Sequence, residues 1–253
     1  MRFRSALFFL ALAATAHADW TTLSSASEPG RDGVVHRHVV LEDAVSSERV
    51  TVDLAIFSTK SCTLRVLQNE GGMDNLGEMM RHEACLAGVN GGYFDEKFDP
   101  IGLRIVNGQT IAPLQRPRLI TGMLVASSRG VQIVRAREFS RRSGVTAAIQ
   151  CGPFLVDRGH TIGGLNDLNL ARRTFAATTI SSRALVGVCS GVSLAELAKI
   201  LATTSLAEDL KIERALNLDG GSSSAFWFAR DNGSAFSISE QKPVRDFVGI
   251  VPK

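Results

Sequence analysis

Short apolar runs that stop at glycine set the kind of fold this chain can reach. Leu216-Asn217-Leu218 leads into Asp219-Gly220-Gly221 and Ser222-Ser223-Ser224, and an apolar run resumes at Ala225-Phe226-Trp227-Phe228. The pattern reads as strand–turn–strand, with Asp219 held at a strand end. Glycine has no Cβ, so Gly220 and Gly221 can take positive φ or bring backbone close to a ligand. Asp-Gly is also an ordinary hairpin signal. Three consecutive serines exceed what a hairpin needs and add donors and acceptors beside the carboxylate.

The same punctuation recurs along the chain. Val50, Val52, Leu54 and Ile56 alternate with other residues, the period of a half-buried strand. Thr63 to Leu67 reads as its neighbour. Val34 to Leu41 is strand-like and puts His36 and His38 on one face, which predicts a solvated face in preference to an H-x-H metal site. Further strands are expected at 85–89, 101–106, 120–126, 131–134, 146–151, 154–156, 174–180, 184–189, 215–218, 225–228, 235–238 and 247–251, with a turn at Asn107-Gly108. Helices are expected over 75–83, with Leu76, Met79 and Met80 on the apolar side, and at two capping boxes. Ser193 with Glu196 opens the first, striped by Leu194, Leu197, Ala198 and Leu201, and Ser205 with Glu208 opens the second, running toward Arg214. Strands clustered in groups and about three helices predict an α+β fold of mostly antiparallel sheet.

Residues 1–18 read as a secretory signal. Arg2 and Arg4 form the basic region, Ala6 to Ala14 the apolar region and Ala16-His17-Ala18 the cleavage site. The apolar run is too short to span a bilayer. The expected localisation is periplasmic or secreted, with no stable membrane insertion after cleavage. Residues 19–33 are polar and read as a flexible lead-in, and residues 34–253 as one domain. The formal net charge is +3, and loss of Arg2 and Arg4 brings it close to neutrality, which is not a nucleic-acid signature. Arg135, Arg137, Arg141 and Arg142 form a basic run that reads as a solvated loop. Export permits disulfides, yet Cys62, Cys85, Cys151 and Cys189 have no CxxC spacing and allow three pairings or none.

Four strand ends carry chemistry: Asn90-Gly91-Gly92-Tyr93-Phe94, Cys151-Gly152-Pro153, Arg172-Arg173-Thr174 and Asp219-Gly220-Gly221-Ser222. Together they offer an amide, a phenol, a guanidinium, a carboxylate and hydroxyls. A guanidinium fork matches two phosphate oxygens. Carboxylates serve glycosidic cleavage as acid, base or nucleophile. The GxSxG elbow, the P-loop and HExxH are absent.

With these stretches the chain resembles the phosphodiester glycosidase family. The resemblance rests on Gly88-Val89-Asn90-Gly91-Gly92-Tyr93-Phe94-Asp95, Pro100-Ile101-Gly102-Leu103 with Gly108, and Gln150-Cys151-Gly152-Pro153-Phe154-Leu155-Val156 with Gly159. It continues through Arg173-Thr174, Gly191 to Ala198 and Ala215 to Ser223, and departs from the usual pattern at Phe175-Ala176-Ala177. It implies cleavage between a sugar's anomeric carbon and a phosphodiester, in an envelope or environmental glycan. By the same resemblance Asn90, Gly92 and Tyr93 line the sugar site, with Gly152 beside them. Arg173 and Thr174 meet the phosphate. Asp219 is the leading carboxylate, shaped by Gly220, Gly221 and Ser222, and Asp95 is the second carboxylate. Other roles weighed are Asp99 as a turn residue, Arg104 as a strand-surface charge or second phosphate contact, and His160 and Asp157 as solvated groups.

Two further functions suit the same residues. One is a carbohydrate- or phosphoglycan-binding module without chemistry. The other is a metal-assisted phosphodiesterase that uses Asp95, Asp99 and Asp219 as oxygen ligands. No cofactor is expected for the glycosidase. The expected partner is a glycan or sugar-phosphate substrate.

Overall fold

The computed structural model describes residues 20–116, 118–140, 144–204, 206 and 210–253. The expected signal segment, Arg141 and Arg142, and the capping residues Ser205 and Glu208 lie outside the described residues. The first strands are β1 (Trp20–Pro29), β2 (Val35–Asp43), β3 (Arg49–Ser58) and β4 (Cys62–Gln68). After helix α1 (Leu76–His82) come β5 (Ala87–Asn90), β6 (Arg104–Val106), β7 (Gln109–Ala112), β8 (Gly122–Ser127) and β9 (Gly130–Arg135). The middle of the chain forms β10 (Val145–Cys151), β11 (Phe154–Asp157), β12 (His160–Thr161), β13 (Ala171–Thr179) and β14 (Arg183–Val192). Helix α2 (Leu194–Thr203) precedes β15 (Ile212–Asn217), β16 (Phe226–Ala229), β17 (Ala235–Ile238) and β18 (Asp246–Pro252).

The strands form three sheets. The first has the order β1-β2-β3-β14-β13-β15-β11-β12, the second β7-β6-β10-β8-β9, and the third β17-β16-β5-β18-β4. Their pairings are antiparallel, as expected. One face of the first sheet meets residues of the other two in a shared core that includes Ala55, Val188, Leu216, Val89, Phe226, Val248, Leu124 and Ile149. Its opposite face meets α2 through Leu197, Ala198, Ile200 and Leu201. Each large apolar side chain so buried contributes about 1.5–3 kcal/mol. Helix α1 sets Leu76, Met79 and Met80 against Trp227 and Phe247 of the third sheet.

Helix α2 begins at its expected capping box, and α1 begins at one that the sequence reading did not single out. Asn75 accepts from Glu78 N at 3.0 Å while Glu78 returns to Asn75 N, and Ser193 and Glu196 repeat the exchange. The described residues hold two α-helices rather than three, because Arg214 belongs to β15. The fold is therefore more β than expected. A second correction concerns residues 20–29. They are not a flexible lead-in but an edge strand, paired with β2 from Trp20↔Asp43 to Pro29↔Val35. An edge strand exposed along most of its length is held by its backbone ladder, so its polar composition carried no strand signal. A third concerns β4, which pairs with β18 in another sheet and not with β3.

The His36–His38 face is also not simply solvated. His36 is buried among Phe226, Phe228 and Phe236, and its Nε2 lies 2.9 Å from Asp53 Oδ1. His38 Nδ1 reaches the same oxygen at 3.0 Å. All four cysteines are buried free thiols, and burial pushes Cys85 and Cys151 up to about 12.

Candidate active site

The site lies where the ends of β5, β13 and β15 meet. Asn90, fully buried, fastens them. Its Nδ2 donates to Asp219 O at 2.8 Å. Its Oδ1 accepts from Thr174 Oγ1 at 2.7 Å and from Ala225 N at 3.0 Å. Asn90 and Thr174 therefore shape the loop that carries Asp219, and Thr174 is too buried to meet a phosphate.

Tyr93 closes the adjoining wall. Its hydroxyl donates to Gly152 O at 2.7 Å and accepts from Asn217 Nδ2 at 2.8 Å. Burial above all raises its pKa, and the neighbouring Asp219 adds to the rise. The phenol is thus a neutral, oriented group. Gly152 contributes a carbonyl, not an N–H.

Asp219 leaves the end of β15 half-buried. Its Oδ1 accepts from Gly220 N at 2.9 Å. Burial raises its pKa, and the Ser223 hydroxyl, Lys242 and the Gly220 N–H pull it back in part. Gly221 has φ of 65° with open space around its Cβ position, so the left-handed turn, not crowding, selects glycine there. The 3-10 turn Gly221–Ser223 follows, and Ser222 O accepts from Gln241 N at 2.7 Å. That bond holds the 239–242 segment against the carboxylate loop. The next residue, Lys242, sets its ammonium 5.3 Å from the centre of the Phe94 ring.

Arg173 sits half-buried on β13. Its Nε donates to Val192 O at 3.0 Å and its Nη2 to Asn169 O. Burial lowers its pKa. The guanidinium is held by backbone carbonyls beside the Tyr93 wall.

Behind this wall lies a buried ion pair. Arg104 is 0 % exposed and Asp246 2 %, and Arg104 Nε meets Asp246 Oδ2 at 2.7 Å. Arg104 also donates to the carbonyls of Tyr93, Ile101, Leu103 and Gln150. Asp246 accepts Gly92 N on Oδ1 at 2.8 Å. Gly92 faces the ion pair: a Cβ there would collide with the Arg104 guanidinium. Gly92→Ala is expected to displace that ion pair and lower the melting temperature, which a thermal melt beside wild type checks. An unchanged melt would separate Gly92 from the pair.

Several expected roles change. Arg104 is neither a surface charge nor a phosphate contact. Asp157 is not solvated; it pairs with Arg135 at 2.7 Å and Arg214 at 3.2 Å. Asp95 is exposed, and its Oδ1 takes the N–H groups of Lys97 and Asp99, so it organises a turn beside Phe98. No hydrogen bond joins it to Asp219 among the described residues. No three His, Cys, Asp or Glu side chains among the described residues converge as metal ligands, so the Asp95–Asp99–Asp219 set is not assembled. Lys242, Asn217 and Asp246 were not singled out from sequence. The available signal for Asp246 was an acid at the head of the apolar run 247–251.

The chain's fold is shared with the zebrafish N-acetylglucosamine-1-phosphodiester alpha-N-acetylglucosaminidase catalytic domain, auto-inhibited by pro-peptide, at TM-score 0.65 and 15 % identity, covering 91 % of this chain and 88 % of that one. A hypothetical protein from Synechocystis is similar at TM-score 0.58 and 15 % identity, covering 87 % of this chain and 62 % of that one. No curated protein matches the chain in sequence. The phosphodiester glycosidase family pattern matches residues 83–251, which carry Asn90, Tyr93, Gly152, Arg173 and Asp219. By that match, this chain belongs to the phosphodiester glycosidase family.

Proposed function

We propose that this chain is an exported hydrolase that cleaves a sugar-1-phosphodiester between the anomeric carbon and the phosphate, in an envelope or environmental glycan. The observation that carries the reading is Asp219: a desolvated carboxyl at a strand end, on a glycine turn, with Lys242 acting on it and Arg173 on the neighbouring strand. The family supplies the reaction class. The leader-like residues 1–18 support export.

The chemistry follows from the leaving group. A departing phosphate monoester is stable as an anion and needs little protonation. The carboxylate is then best used at the sugar, where Asp219 stabilises positive charge on the anomeric carbon or takes a proton from the attacking water. The water's oxygen bonds to the anomeric carbon as the carbon–oxygen bond to phosphate breaks. The freed phosphate carries the electron pair, and Arg173 and Lys242 offset its charge. Tyr93 and Asn90 keep the sugar wall and the carboxylate loop in register.

The test is release of free reducing sugar from a panel of sugar-1-phosphodiesters. Release from at least one is expected, and none from any would overturn the reading. Lys242→Ala sharpens it. Losing a hydrogen bond to a charged group costs about 1.5–3 kcal/mol, so KM for the phosphodiester should rise roughly ten- to hundredfold. Lys242 lowers the Asp219 pKa, so its loss should also move the acid limb of the rate profile to higher pH. A variant with wild-type KM and an unmoved limb would remove Lys242 from the site.

A further inference from the structure

On the outer side of the Gly152 wall lies a cleft of about 410 Å³ between residues 114–116 and 120–121 and the end of β9 with the two residues that follow it. Three arginines line it, Arg116, Arg135 and Arg137, with Gln115 and Thr121, and no carboxylate is among its described lining residues. Arg135 is fixed: its Nε and Nη2 hold Asp157 Oδ2 at 3.0 and 2.7 Å, and its guanidinium lies 4.8 Å over the Phe154 ring. Arg116 and Arg137 are exposed, and neither has an ion-pair or hydrogen-bond partner among the described residues. Glu138, next in sequence, turns toward Arg214 at 3.8 Å. Within the described part of the basic run, Arg135 is structural and Arg137 is free to meet a ligand, with Arg116 opposite.

The cleft is preformed. Gln150, fully buried, holds its loop at both ends. Oε1 accepts from Gln115 N at 3.1 Å, and Nε2 donates to Gln115 O at 2.6 Å and Ile120 O at 3.1 Å. The loop rests directly on Gly152, where a Cβ would fall on Leu119 O and within 2.7 Å of Thr121 N. The carbonyl of that same Gly152 receives the Tyr93 hydroxyl. One loop thickness thus separates the cleft from the candidate active site.

We propose that this cleft is a second anion site, which takes a phosphate-bearing unit of the substrate chain beyond the one cleaved at Asp219. Planar guanidinium forks favour phosphate oxygens over a point-like cation site. The volume is that of an ordinary ligand pocket and exceeds what one phosphate fills, so the phosphate enters with its attached sugar or polyol. The substrate class this adds is a glycan with repeated phosphodiester links. The substrate assignment rests on the function proposed above; the anion site itself does not.

The experiment titrates the full chain with inorganic tripolyphosphate, as wild type, as the Arg116→Ala/Arg137→Ala double variant and as Asp219→Asn. Wild type and Asp219→Asn should bind alike, and the double variant at least tenfold more weakly. In parallel, KM for a polymer of sugar-1-phosphate units should rise at least tenfold in the double variant, with KM for a single sugar-1-phosphodiester unchanged. Equal tripolyphosphate binding by wild type and double variant overturns the anion site, whether or not sugar is released. Weakened binding with an unchanged polymer KM overturns its use by the substrate chain. Arginine-dependent binding in a protein that releases no sugar from any substrate keeps the anion site and overturns the catalytic reading instead.

Discussion

Asp219→Asn is expected to abolish sugar release while leaving the protein folded and, at neutral pH, at least as heat-stable as wild type. The substitution keeps the shape of the side chain and an acceptor for the Gly220 N–H. It removes the charge that an electron-poor anomeric carbon or an attacking water requires. A loss of about 10²–10⁴-fold is the ordinary cost of removing such a group. The stability half of the expectation follows from the raised pKa. Native Asp219 keeps its proton to higher pH than it would in the unfolded chain. Its contribution to stability is therefore complete below the ordinary carboxylate range and is lost as pH rises through the native value. Above that value wild type carries a poorly solvated charge that the asparagine variant lacks. The gap in melting temperature should favour the variant at pH 7 and close in acid, below the ordinary aspartate pKa of about 3.9. Thermal melts at several pH values, run beside the sugar-release assay, separate these effects. Retained activity would move the chemistry to another residue. A variant less stable than wild type at pH 7 would mean that the ionised carboxylate serves the fold.

How far the sequence was legible depended on how local each signal was. The alternation at Val50, Val52, Leu54 and Ile56 survives as β3 because half its residues face one core and half the other. The capping box of Ser193 and Glu196 is an exchange between neighbours three apart and appears in the structure, whereas that of Asn75 and Glu78 emerged only there. Composition failed at β1, where the ladder to β2 and not apolar burial holds the strand. It failed again at His36, whose partner Asp53 is on the next strand and whose aromatic cage comes from another sheet. At the site, the motifs that hold Asn90, Tyr93, Gly152 and Asp219 did converge, but their parts differ from a list of ligand contacts. Asn90 and Thr174 hold one another, and Gly152 offers its carbonyl to Tyr93. Motif spacing locates such residues without telling whether each faces the substrate or its neighbours. Asp95 is the reverse case, an acid beside the motif whose hydrogen bonds all serve its own turn.

Arg104→Met is expected to be the most destabilising single change in the chain's polar interior. It leaves Asp246 charged and nearly solvent-free, and it strips donors from the carbonyls of Tyr93, Ile101, Leu103 and Gln150. Removing one partner of a buried pair costs about 3–5 kcal/mol. Asp246→Asn should cost less, because an amide can still accept from Gly92 N and Arg104 keeps its four carbonyls. Combining the two changes should recover part of the loss, since no buried charge then stands alone. Urea unfolding of the three variants and wild type measures this order directly. The pair is also the brace of the candidate site: Asp246 accepts from Gly92 N, and Arg104 donates to the carbonyl of Tyr93, whose hydroxyl meets Gly152 O. Activity of a folded Asp246→Asn protein should therefore fall through a changed KM before kcat, as the Tyr93 wall loosens. Equal stability of Arg104→Met and wild type would mean that burial of the pair costs as much as its bonds return, and its retention would then belong to positioning Tyr93 alone.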